Sequence, residues 1–141
     1  MLSRLGFKMN VASSAEQLYE KGCTSQEMGH LDTAIDYFRQ SIKLGSDDPT
    51  LLKRIGEQLF AMDQYALSEE CMRRVLALSP RDADTWLDLA KVLRASGDFL
   101  EARIAARYAR QFKRPIALES ALLQTLGLVF NSHVEDLNLT K

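Results

Sequence analysis

The chain has 141 residues, room for one domain that buries most of its apolar surface, and its 46% hydrophobic and 26% charged content is ordinary for a soluble globular protein. A net charge of −1 and a pI near 6.1 exclude the strongly basic face that nucleic-acid binders usually carry. No apolar run approaches the ~20 residues that a membrane-spanning helix needs, so neither nucleic acid nor a membrane span is expected.

Residues 1–14 form an N-terminal extension. The stretch 1–15 lacks acids and carries Arg4 and Lys8, which leaves open a short targeting peptide beside the preferred reading, a frayed extension. Ser13 with Glu16 three residues on reads as a capping box, and places the first helix at about 14–28. Gly29 closes it, and a second helix follows at 31–44. Asp48 before Pro49 is an N-cap followed by proline at the first helical position, opening a helix at 49–62. Asp63 marks the next turn, and a fourth helix spans 65–78. After Ser79-Pro80, Asp82 caps a helix at 83–96; Gly97 turns the chain into 99–113. Proline disfavours helical geometry in the residue before it, so Arg114-Pro115 separates that helix from a seventh at about 116–131. A polar tail, 132–141, completes the chain. The expectation is an all-α protein.

These elements repeat. Gly29, Asp63 and Gly97 stand 34 residues apart, Leu31, Tyr65 and Phe99 follow two residues later, and Ala34, Ser68 and Ala102 three after those. With Ala15, Pro49 and Ala83 as first positions, the units run 15–48, 49–82 and 83–116. Position 4 holds Leu18, Leu52 and Trp86; position 8 holds Gly22, Gly56 and Ala90; position 27 holds Ser41, Val75 and Ala109. Small residues at position 8 allow two helices to meet without a clash or a cavity. The pattern resembles the tetratricopeptide repeat (TPR) family, whose period is 34 residues with a large residue, then Leu-Gly, then an aromatic. Departures are Lys21 and Ser25 in the first unit and Ala106 at position 24 of the third, where an aromatic is expected. The resemblance implies a helical solenoid of three helix-turn-helix repeats, with a C-terminal capping helix at 117–131.

In such arrays the first helix of each repeat lines a concave groove. The resemblance therefore places Tyr19, Cys23, Arg54, Glu57, Phe60, Leu87, Lys91 and Arg94 in a partner-binding groove, with Tyr19, Phe60 and Leu87 as apolar anchors. Aromatic side chains dominate hot spots of this kind. Repeats that grip the C-terminal carboxylate of heat-shock chaperones use Lys, Asn and Arg there. The matching places in this chain hold Tyr19, Cys23, Arg54, Asp84 and Asp88. Two aspartates would repel a carboxylate, so that ligand is not expected.

From Ile116 to Phe130 the only charged residue is Glu119. Leu118, Leu122, Leu126 and Val129 form one apolar stripe, and Ile116, Leu123 and Phe130 another. A solenoid's terminal helix normally has a polar outer face. The excess stripe points to self-association through Leu122, Leu126, Val129 and Phe130, giving a homodimer. A partner, or the N-terminal Leu2, Leu5 and Phe7, could cover it instead.

Signs of chemistry are thin. No phosphate-cradling glycine loop, nucleophile elbow or zinc motif occurs. His30 sits at a turn, and His133 lies near Glu135 and Asp136 in the tail. Cys23 and Cys71 have no metal-ligand or redox spacing and read as free buried thiols of a reducing cytoplasm. The chain is expected to be a cytoplasmic non-enzyme without metal or cofactor. Its expected function is that of an adaptor binding a peptide segment of a partner protein. Glu16-Gln17-Leu18-Tyr19 and Ala61-Met62-Asp63-Gln64-Tyr65-Ala66-Leu67 also resemble the class II chaperones of type III secretion. That resemblance implies a chaperone holding a hydrophobic translocator soluble before export. A self-assembling structural or assembly factor is the third reading.

Overall fold

The computed structural model describes residues 2–113, the side chains of 2–10, 12 and 13 excepted. Among them the order is α1 (Leu2–Glu27), α2 (Leu31–Leu44), α3 (Pro49–Ala61), α4 (Tyr65–Leu78), α5 (Ala83–Ser96) and α6 (Phe99–Phe112), with no strand. Expected and observed helices agree to within a residue everywhere except at the start of α1. There the capping-box reading of Ser13 is corrected: the helix is already running at Leu2 and passes through Ser13. An N-cap residue must itself be non-helical, and nothing between Leu2 and Ser13 interrupts the helix. The expected helix at 116–131 and the tail lie outside the described residues.

The turn inside each repeat is built three times in one way. Gly29, Asp63 and Gly97 all sit at positive φ, 80°, 60° and 96°. The next residue's N–H then reaches back over the helix end: His30 to the Ser25 carbonyl at 2.8 Å, Gln64 to Leu59 at 2.8 Å, Asp98 to Leu93 at 2.9 Å. This is a left-handed C-terminal cap, cheapest for glycine. Asp63, which tolerates the conformation better than most side chains, also accepts a hydrogen bond from the Tyr65 hydroxyl at 2.9 Å. The links between repeats use side-chain caps. Asp48 accepts from the backbone of Thr50 and Leu51, and Asp82 from the backbone and hydroxyl of Thr85.

Each hairpin closes over small residues. Gly22 and Gly56 lie where a methyl group would meet Phe38 and Met72. Ser68, fully buried, donates to the Gly56 carbonyl at 2.7 Å; Ser41 donates to the Ala15 carbonyl at 2.7 Å. Two apolar clusters result. One, around Phe38, Leu52, Ile55 and Leu59, joins repeats one and two. The other, around Met72, Leu89 and Leu93, joins repeats two and three. Contacts run from neighbour to neighbour, as in a solenoid. Helices α1, α3 and α5 touch one another across the hairpins, as the inner helices of such an array do; we call their side the inner one.

Candidate functional site: a cleft on the inner helices

The inner layer is first of all tied together by its own charges. Arg54 Nη1 of α3 reaches Glu16 Oε1 of α1 at 2.7 Å, and the guanidinium lies 4.3 Å above the Tyr19 ring. Lys53 of α3 stands 3.9 Å from Asp88 of α5, and Lys91, one turn along, 3.8 Å from the same carboxylate. On the outer layer Arg73 bridges Glu69 at 2.8 Å and Glu101 of α6 at 2.7 Å. Pairs this exposed contribute about 0–1 kcal/mol each.

Between α3, α4 and α5 the inner face opens into a cleft of about 280 Å³, lined by Glu57, Phe60, Met72, Asp88, Lys91 and Val92. Met72 and Val92, each 1% exposed, form the floor. Phe60 is one wall, its ring 5.7 Å from that of Tyr65. Glu57 and Lys91 are exposed at the rim. Burial holds the Asp88 carboxyl above the ordinary carboxylate range; Lys53 and Lys91 pull it down, and Asp84 and Asp82 add to the rise.

Of the groove residues expected from sequence, Glu57, Phe60 and Lys91 come together here. Leu87 and Arg94 are exposed on α5 but do not line this cleft. Tyr19 is only 8% exposed, packed 5.9 Å from the Phe38 ring and covered by Arg54. Its phenol is raised by burial and by Cys23, against the lowering effect of Arg54. Cys23 is half-buried against the first cluster. Cys71 is fully buried, and burial pushes its thiol up to about 12, leaving it unreactive. Leu122, Leu126, Val129 and Phe130 lie outside the described residues.

Two floor residues were not expected. Met72 stands at position 24, where the repeat pattern reads as core, and Val92 at a position the pattern leaves blank; both readings hold, because the cleft floor is core. A second surprise lies on the outer face of α6. Leu100 is 72% and Ile104 47% exposed, opposite the buried Ala102, Ala105 and Ala109. The same positions in the earlier repeats hold Asp32 and Ala66, then Asp36 and Glu70. Laying the three repeats side by side shows this switch to apolar character, so the signal was present in the sequence.

Among the described residues no group of His, Cys, Asp and Glu could hold a metal ion, and no helix is long and apolar enough to cross a membrane. Residues 15–48 match the family described as tetratricopeptide repeat. In structure the chain is similar to the first TPR of Spaghetti (RPAP3) bound to HSP90 peptide SRMEEVD, at 18% identity, covering 85% of this chain and 95% of that one, with TM-score 0.59. It is similar also to the N-terminal domain of stress-induced protein-1 (STI-1) from C. elegans, at 11% identity, covering 81% and 95%, with TM-score 0.62. The Sgt2 TPR domain from Aspergillus fumigatus aligns at 16% identity, covering 84% and 81%, with TM-score 0.57. No curated protein matches the sequence.

Proposed function

We propose that this chain, whose residues 15–48 match the tetratricopeptide repeat family and whose fold is that of TPR domains, is a protein-interaction module, not an enzyme, which holds a segment of a partner polypeptide against α1, α3 and α5. The observation that carries this reading is the inner cleft, where an apolar floor meets exposed polar residues at its rim. Such a site suits an extended segment that inserts one side chain and lays its backbone over the rest. The peptide-bound relative lends support by analogy of fold. Its ligand, SRMEEVD, is acidic, and this chain is not built for it: Arg54 is engaged with Glu16, and Asp88 faces the cleft. A chaperone that keeps a hydrophobic translocator soluble before export would be one form of the proposed role. Two free cysteines among the described residues fit a reducing, cytoplasmic setting.

The test is affinity purification with the full chain, followed by binding measurements on the recovered partner with wild type and Phe60→Ala. Truncating this wall is expected to weaken binding by about 1–3 kcal/mol, with an unchanged circular-dichroism spectrum. Equal affinity would move the interface out of the cleft.

A second reading, self-association, is favoured by the exposed Leu100 and Ile104 on α6, next in the chain to the apolar segment bearing Leu122, Leu126, Val129 and Phe130. Sedimentation velocity decides it. Oligomers of the wild type are expected to become monomers with Leu126→Glu or with Leu100→Asp and Ile104→Glu together. A wild type that stays monomeric at high concentration sinks this reading.

A further inference from the structure

We propose that the cleft between α3 and α5 selects a basic–apolar pair in its partner: a Leu, Met or Phe side chain inserted on Met72 and Val92, and a Lys or Arg within two residues of it set between Glu57 and Asp88. This rests on the groove reading above and gives it a ligand chemistry.

Size supports the apolar half. About 280 Å³ lies just below the range of drug-sized pockets, so the cleft takes a side chain rather than a folded element. Its floor is apolar, and the thioether of Met72 adapts to side chains of differing shape. Selection within the apolar class is therefore weak.

Charge supports the basic half. Most cations of the inner layer are already committed: Arg54 to Glu16 at 2.7 Å, Lys53 and Lys91 both to Asp88. The two contacts to Asp88, at 3.9 and 3.8 Å, are too long for good hydrogen bonds and leave its oxygens room for a shorter donor. Glu57 is exposed at the rim and has no cation within ion-pair distance among the described residues. The cleft lining itself carries two carboxylates, Glu57 and Asp88, and one ammonium, Lys91. The raised Asp88 carboxyl agrees, since the two lysines do not offset its burial. A guanidinium entering beside Phe60 would meet the unpaired Glu57 and could share Asp88 with its two long lysine contacts, whereas an acidic segment would meet repulsion from Glu57.

The experiment is selection of a displayed random dodecapeptide library on the full chain. Anisotropy titrations of the selected, labelled peptides follow on wild type, Glu57→Lys and Phe60→Ala. Glu57 is exposed, so its variant is expected to fold as wild type. The expected result is a Lys or Arg within two residues of a Leu, Met or Phe in the selected peptides. Their affinity should fall by about tenfold or more with Glu57→Lys and also fall with Phe60→Ala. Peptides that lose affinity with Phe60→Ala but carry acidic or no charges overturn this inference and leave the groove reading standing. Peptides indifferent to both substitutions, or no enrichment at all, overturn both.

Discussion

Phe38→Ala is expected to lower the unfolding free energy by about 3–5 kcal/mol, the range for removing a buried aromatic from a packed core. The upper half of that range is the better expectation, for a local reason. Phe38 is 0% exposed and packs on one side against the Tyr19 ring at 5.9 Å. On another it lies against Gly22, which has no side chain to swing into the hole. On that side only the α1 backbone could close the cavity, and the Ser41 to Ala15 hydrogen bond ties α1 to α2. Because cohesion runs from repeat to repeat, the first repeat should unravel ahead of the others. Urea unfolding followed by circular dichroism should therefore show a lower midpoint and a shallower slope. A loss under about 1 kcal/mol would mean that the cluster collapses onto the vacancy and is not held as described.

The opposite error at the same contact supplies the second prediction. A Cβ built on Gly22 lies 2.5 Å from Phe38 Cε1 and 2.7 Å from Cδ1, atoms of a rigid buried ring. A Cβ on Gly56 meets the Met72 methyl at 2.7 Å and Cys71 Cβ at 3.1 Å. That methyl is the far end of a flexible chain and can turn away. Gly22→Ala should thus cost about 1–3 kcal/mol by overpacking. Gly56→Ala should stay within about 1 kcal/mol of wild type, since alanine returns about 1 kcal/mol of helix propensity. A double-mutant cycle sharpens the test: shortening the ring in Phe38→Leu should relieve the strain, so Gly22→Ala with Phe38→Leu should lose less than the two single losses combined. Equal costs at the two glycines would refute the assignment of Gly22 to the tighter approach.

The proposed specificity follows from similar local detail. Position 8 of each repeat brings two helices together, and position 24 of the second repeat then supplies Met72, a side chain that serves both as core and as cleft floor. A partner that inserts an apolar side chain there touches the packing between repeats two and three directly. Binding should accordingly stiffen that junction, where the second apolar cluster sits.

What could be read from the residues alone was whatever depends on near neighbours in the chain. The helix limits from α2 onward, the turns at Gly29, Asp63 and Gly97, and the aspartate caps follow from rules that act over a few residues, and the repeat period follows from laying those turns in register. The same local rules misplaced the start of α1, because a Ser-to-Glu pattern marks a helix end only if the preceding residues leave the helix, and here they do not. Tertiary structure decided which residues line the cleft. Arg54 is paired with a residue 38 positions away and covers Tyr19, turning an expected open anchor into part of the core. Lys53 and Asp88 meet across two repeats, which consumes charges that the sequence presents as equally free. Leu87 and Phe60 were both expected on the groove side of their helices, yet only Phe60 borders the cleft. The reason is physical: a helix rule fixes which face a side chain leaves from, while burial and charge depend on what another segment, distant in the chain, sets against it.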